Sequence, residues 1–537
     1  MLQNDKYLNC VVTIFAVYVA YLTLMGVLQV AGVGVGFQIL PSGEDLNWLY
    51  LLNAGSLVDI FKAFWSLDHR NPAAALWWIL ASPIIHFSDW GLHAISLVVY
   101  PLAAVVTFST LDRLARREAK LFSLLTALLV LFWSLSSRSD HVDRVMIIAL
   151  IFTLLAINAY VKFVDGGRND WRQFALALLF YLIALATYTI QCGAIIAVPL
   201  VCFFRLEASG RKRLLCALID GALFLAILLA YTIIWMYYLG PISSSFSLSI
   251  GDALVKSITS IQLFLFPPYN DDLLALALAE FPQPTMFILI AISLALAVTI
   301  LVFAIRAATP SVEKVPALWA LVLLMAIGVP TVLIEASSPI WGPGSRSIMV
   351  MQVWQPLFLM TLVAIVGGQL LRRYLLTVGF LVFATVAIFV GLGMNHAMTL
   401  TSKYDRNLAA LLRELNEGQA DRMSYLVIVK NPVVGYKGGD QGMPAYSPMI
   451  LDKNKASSRL LVKYPPPTNS SSELSKTKFT DEGVENARLL YDKTVTPYAD
   501  VNIVYFNGES IDVPKIINKE DLDGYHVEWL KTQPIRQ

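Results

Sequence analysis

"RLARREAKLFSLLTALLVLFWSLSSRSDHVDRVMIIALIFTLLAINAYVKFVDGGR", residues 113–168, decides the fold class. It holds two apolar runs, 121–137 and 142–163, and a helix of about 17–25 such residues crosses a bilayer. The break before the first run carries Arg113, Arg116, Arg117 and Lys120, and the break after the second carries Lys162 and Arg168. The break between them, "SSRSDHVDR" (136–144), is short and of mixed charge. That alternation predicts a pair of membrane-spanning helices whose two basic ends share one side of the membrane.

The same pattern recurs on both sides of this pair. Apolar runs fall at 8–33, 90–111, 121–137, 142–163, 173–190, 191–205, 214–239, 286–305, 316–335, 347–370 and 374–396, which predicts about 11 transmembrane helices. The fifth and sixth are separated only by "TYTIQCG". Further basic residues lie at Arg172, at Arg205 with Arg211, Lys212 and Arg213, at Arg306 with Lys314, and at Arg372 with Arg373. Every one of these groups falls in an even-to-odd break, so the positive-inside rule puts them all in the cytoplasm. The N-terminus is then cytoplasmic and the C-terminus extracytoplasmic.

Composition agrees. Of 537 residues, 57% are hydrophobic and 15% charged, against about 25% charge in a soluble domain, and the mean hydropathy is +0.63. The net charge of +2 carries little by itself. Cys10, Cys192, Cys202 and Cys216 all sit in or beside apolar runs, which argues against a disulfide framework or a thiol-metal centre. The first run is too long and too weakly basic at its start for a signal peptide, and is read as an uncleaved span.

Ionisable residues outside the basic breaks collect toward the opposite face. The first outward loop, 44–87, opens with Glu44 and Asp45 in "GEDLNWLY" and ends with Asp68, His69 and Arg70 in "LDHRNP". Projected at about 100° per residue, Glu44, Asp45, Asn53, Ser56, Asp59, Lys62 and Ser66 share about half of a helical circumference. Trp, Leu, Phe and Ile fill the rest, the pattern of a helix lying in the membrane interface. "AAALWWILASPIIHF" (73–87) predicts a second interfacial or re-entrant helix. Arg138, Asp140, His141 and Arg144 lie in the next outward break, and Arg346 follows "GPGS" in a later one. The interiors of the runs are nearly free of charge. That suits a site at the lipid–water boundary better than a transport path.

Residues 398–537 are mainly polar and predict a separate small α/β domain on the extracytoplasmic side. "KYDRNLAALLRELNEG" and "TDEGVENARLLYDK" are read as helices. "SYLVIVKNP" and "ADVNIVYFNGE" are read as strands, and "YPPPTNSSSELSKTK" as a linker or loop.

This layout over about residues 1–397 resembles the GT-C class of integral-membrane glycosyltransferases. "GED" (43–45) looks like the acidic motif after the first span, and "LDHRNPAAALWW" (67–78) like the His/Arg–Pro element before the second. "SSRSDHVDR" and "GPGSRS" (342–347) occupy places where such enzymes bind a lipid phosphate. Here the acid pair is Glu-Asp rather than the commoner Asp-Asp or Asp-Glu, and Asn71 stands where many relatives have Pro. Among bacterial members the chain looks most like those that decorate cell-surface glycans, lipopolysaccharide or pilins in the cytoplasmic (inner) membrane, working on its periplasmic side.

The resemblance implies transfer of a sugar from a polyprenyl-phosphate donor to a hydroxyl of a glycan or protein acceptor, by single displacement with inversion. Glu44 or Asp45 would take the acceptor proton, the other orienting acceptor or sugar. Arg346 would hold the departing phosphate, with Arg138, Arg144, Arg70 and His69 as further donor-phosphate ligands. Asp68, Asp140 and His141 would orient acceptor or sugar, with a structural Asp140–His141 pair as the other reading. No cofactor and no nucleic-acid partner is expected. A divalent metal is not favoured, because Glu44, Asp45, His69 and His141 show no fixed ligand spacing. Two other functions compete: a lipid-linked glycan polymerase or ligase, and a lipid-sugar transporter or flippase.

Overall fold

The computed structural model describes residues 2–33, 73, 76–77, 80, 89–136, 143–188, 192–239, 281, 283–308, 317–336, 351–366, 368–416, 424–429, 460–464, 477–486, 495–498, 501–506, 510–515 and 518–532. They form two compact units, one built from described residues up to Asn395 and the other mainly from His396 onward.

Unit one carries the apolar helices, the last of them through its residues up to Asn395. They are α1 (Leu2–Val30), α2 (Asp89–Leu114), α3 (Lys120–Ser136), α4 (Asp143–Asp165), α5 (Trp171–Thr187), α6 (Ala194–Arg205), α7 (Gly210–Leu239), α8 (Gln283–Ala308), α9 (Ala317–Ala336), α10 (Met351–Val366) and α11 (Gly368–Asn416). Among the described residues, 6 helices are long and apolar enough to cross a membrane: Tyr7–Val30, Leu97–Leu114, Val145–Asp165, Gly210–Ile234, Gln283–Ala308 and Arg373–Gly393. Lys120–Trp133, Trp171–Thr187, Ala194–Arg205, Leu318–Val329 and Val353–Val366 are shorter apolar helices. The chain is a multi-pass helical membrane protein.

The helix faces explain why. On α1, Cys10, Ile14, Val17, Tyr21, Met25 and Leu28 are buried, while Leu8, Val12, Phe15 and Val19 are exposed. Both sets repeat at three- and four-residue steps, so one stripe packs inward and an equally apolar stripe faces outward. An outward stripe of that kind, on helices long enough to span a bilayer, fits a lipid-facing surface. Leu214, Leu218, Leu225, Leu229 and Ile233 on α7 do the same.

The core of unit one centres on α3. Residues 121–133 are buried on all sides, as a helix without a polar face should be, and α3 packs against α1, α8 and α10. Its Trp133 indole donates to Gln355 Oε1 on α10 at 2.7 Å. Around it α4 pairs with α5 and α6, and α6 with α7 and α9.

The helix break inside "TYTIQCG" falls where Tyr188 turns extended. α6 restarts after Gly193 and spans about 18 Å at 1.5 Å per residue. Gly193 lets two backbones meet: a Cβ added there would lie 1.6 Å from the Ala326 carbonyl oxygen on α9. That neighbour is backbone, so Gly193→Ala must push α6 and α9 apart. We expect a loss of about 3 kcal/mol, measured as a lowered unfolding midpoint in detergent. An unchanged midpoint would show that the contact is not needed.

Several expectations are corrected. The basic residues assigned to breaks mostly occupy helix ends: Arg113 and Arg306 lie in last turns, Lys120 opens α3 and Arg205 closes α6. Arg372 and Arg373 lie inside α11. Arg and Lys are good helix formers, and their cations complement the C-terminal carbonyls. "KYDRNLAALLRELN" is not a separate helix but the continuation of the last apolar run in α11. Residues 394–416 contain neither Gly nor Pro to stop it.

Unit two contains a 4-stranded sheet in the order β2–β1–β6–β7 and a 3-stranded sheet in the order β3–β4–β5. The strands are β1 (Ser424–Val429), β2 (Leu460–Tyr464), β3 (Thr477–Thr480), β4 (Gly483–Asn486), β5 (Val495–Thr496), β6 (Val501–Phe506) and β7 (Ile511–Asp512). β1 pairs in parallel with β2 and β6, and β7 is antiparallel to β6. The two strands read from the sequence are β1 and β6. Ile503, Val504 and Tyr505 are buried in succession, as both faces of an inner strand require.

The helix expected over "TDEGVENARLLYDK" is overturned for its described part, 480–486. β3 turns through Asp481-Glu482 into β4, with Thr480 paired to Gly483. Gly483 has φ 153°, a conformation that side chains oppose, so the "DEG" turn outweighs the helical spacing after it. The chain closes with α12 (Lys519–Thr532), capped by Asn518 Oδ1 accepting from the Asp521 N–H at 2.8 Å.

Candidate functional site

Glu44, Asp45, Asp68, His69, Arg70, Arg138, Asp140, His141 and Arg346 lie outside the described residues. Arg144 is the second residue of α4. Of the segment 73–87, residues 73, 76, 77 and 80 are helical. Trp77 stacks on Phe152 of α4 with ring centroids 5.7 Å apart, and its indole donates to the Thr187 hydroxyl at the end of α5 at 3.0 Å.

The site that the structure does build lies at the basic ends of the helices in unit one. α2 and α4 stop in the same way. After Leu114, the Arg117 N–H reaches the Asp112 carbonyl at 2.7 Å and the Arg116 N–H the Arg113 carbonyl at 2.9 Å. After Asp165, the Arg168 N–H reaches the Phe163 carbonyl at 2.9 Å and the Gly167 N–H the Val164 carbonyl at 3.0 Å. Each is a Schellman ending, which needs a left-handed residue. Gly167 takes it easily at φ 67°, but Arg116, Arg117 and Arg168 are held at φ 52°, 63° and 68°. A side chain in that region raises the energy by about 1–2 kcal/mol.

Arg205 ties three helix ends together. Its guanidinium donates to Asp165 Oδ1 at 2.9 and 2.7 Å, to Asp165 Oδ2 at 2.6 Å, and to the Arg113 and Leu114 carbonyls at 3.1 and 2.7 Å. Those carbonyls end α2, beyond the reach of its own amide ladder, and the Arg113 carbonyl also accepts from the Arg116 N–H. The guanidinium also lies over the Trp319 ring, 5.5 Å from its centroid. Only 4% of Arg205 is exposed, so it acts as a structural clamp.

A second pair lies deeper. Asp220 stands inside α7 and is 1% exposed. It accepts from both terminal nitrogens of Arg168 and from the Tyr160 hydroxyl at 2.5 Å. Arg168 reaches it from the turn after α4, passing 5.0 Å from the Phe163 ring centroid. The hydrogen bond to Asp220, more than any other influence, holds the Arg168 guanidinium more firmly protonated than usual.

Beside both pairs opens a cavity of ≈ 510 Å³. Six cationic side chains line it, Arg113, Arg116, Arg117, Arg168, Arg205 and Lys212, against the carboxylates Asp165 and Glu207. A lining with this excess of cations favours anions.

The sequence reading missed this arrangement. One signal was present: Asp220 is a lone carboxylate within the apolar run 214–239, where a charge needs a partner. Nothing in the sequence shows that the partner is Arg168. The thiols of Cys10, Cys192, Cys202 and Cys216 are free.

The fold places the chain among multi-pass helical membrane proteins. No model of a known protein family, no curated protein and no solved structure matches it.

Proposed function

We propose that the protein is an integral-membrane glycosyltransferase of the GT-C type. It spans a bacterial cytoplasmic membrane 11 times, with the N-terminus in the cytoplasm and unit two outside. It transfers a sugar from a polyprenyl phosphate to a hydroxyl of a cell-surface glycan or protein, with inversion. Glu44 or Asp45 is the base and Arg346 the first phosphate ligand. One observation carries the reading: ionisable residues gather in the outward loops around an acid pair and a Pro-containing His-Arg element. The basic end supports it by contrast, because Asp165 and Asp220 are each bound by an arginine there. Their carboxylates are thereby committed to holding helices together.

The test is purified protein in detergent with a synthetic polyprenyl-phosphate sugar and a hydroxyl acceptor. Release of polyprenyl phosphate with formation of the inverted glycoside is the expected result. In proteoliposomes, movement of the intact lipid-sugar without cleavage would instead establish a transporter.

A further inference from the structure

We propose that the cavity at the basic ends of α2, α4 and α6 is a binding site for a phosphate-bearing anion, independent of the glycosyltransferase reading. Four observations converge on it. The lining has six cations to two carboxylates, and arginine, whose planar fork matches two phosphate oxygens, supplies five of the six.

The second observation is an unsatisfied donor: Arg113 lines the cavity, and its Nε is buried without a hydrogen-bond partner. Buried N–H groups are almost always paired, so this guanidinium is not fully committed to the protein's own acceptors.

Third, the lining is held in place. Arg205 and Asp165 are locked to each other and to the end of α2, and Arg168 is locked to Asp220. Arg116 and Arg117 sit on left-handed backbone, a conformation that side chains resist and that concentrates at binding sites. A glycine at 116 would relieve it without providing a cation.

Fourth, the surroundings are those of a headgroup zone. Lys212 stands in the first turn of α7, whose Leu214, Leu215 and Leu218 are exposed and apolar, and Trp171 is 65% exposed at the start of α5. An exposed Trp beside basic helix ends marks the interfacial layer. The shared chemistry is a phosphate ester, with two possible sources: an acidic lipid headgroup, whose chains would lie along α7, or a soluble phosphate.

The test uses full-length protein in detergent and reads the shift in thermal unfolding midpoint on titration. The probes are short-chain phosphatidic acid, glycerol 3-phosphate, inorganic phosphate and short-chain phosphatidylcholine. The variant is Arg116→Gln/Lys212→Gln, which spares the Arg205 and Arg168 clamps, and its midpoint without added probe reports its folding. We expect an anionic phosphate probe to raise the wild-type midpoint. The double variant should need about tenfold more probe or beyond, the equivalent of one charge-assisted contact. A response to phosphatidic acid alone makes the ligand a lipid headgroup, and a comparable response to glycerol 3-phosphate or inorganic phosphate makes it soluble. The proposal is overturned if no anionic phosphate probe stabilises the wild type, if phosphatidylcholine does so equally, or if the variant responds as the wild type does.

Discussion

Replacing Glu44 with Gln and Asp45 with Asn in one chain is expected to slow sugar transfer by about a hundred- to ten-thousand-fold. Both changes keep size and hydrogen-bonding shape and remove only the ability to take a proton. In the proposed reaction the donor's phosphate would leave without protonation, so transfer would depend on one base at the acceptor hydroxyl. Each single variant then assigns the roles. The base shows the large loss at saturating acceptor, and the orienting acid shows a smaller one, mainly in KM. Arg346→Ala should lower kcat as well, because a cation on the departing phosphate acts most strongly as charge develops. Donor cleavage at the wild-type rate in the double variant would remove the acid pair from the mechanism.

Removing Arg168 should be the most damaging single change to stability. Asp220 is buried inside α7 and, among the described residues, keeps only the Tyr160 hydroxyl once the guanidinium is gone. Breaking a buried pair from one side lowers stability by about 3–5 kcal/mol, because the remaining charge is neither hydrated nor paired. We expect Arg168→Met to show that loss as a lowered unfolding midpoint in detergent. Adding Asp220→Asn should recover most of it, since a neutral amide no longer needs the cation and still offers Tyr160 an oxygen. The recovery is the decisive measurement. If the double variant is no better than Arg168→Met, the arginine matters through its left-handed turn and not through charge.

The positions of the apolar helices were legible because lipid offers the backbone no hydrogen-bond partners. An apolar run of sufficient length has to satisfy its own amides, and the helix is how it does so. Each of the runs predicted from 8–33 to 374–396 is accordingly helical over most of its described residues. Composition was a weaker guide in the polar region, where helix and strand compete on nearly equal terms. There "VENARLLYDK" has helical spacing, yet Asp481-Glu482-Gly483 turns the chain and sends Gly483–Asn486 back along β3. The helix after the last span was misjudged as a separate element for a related reason. A change from apolar to polar residues alters what a helix faces, but no residue between 394 and 416 interrupts it.

By itself, then, the sequence determined the membrane class of the protein, the helical state of its apolar runs and their placement along the chain. All of these follow from local hydrophobicity and charge. Only the tertiary structure decided which charges meet. Asp220 finds Arg168 across 52 positions, and Arg205 finds Asp165 across 40 and the Leu114 carbonyl across 91. Those partners are chosen by how helices pack, and packing turns on contacts such as Gly193 against the Ala326 backbone. A contact of that kind depends on two surfaces fitting at van der Waals distance, a property that no single segment carries.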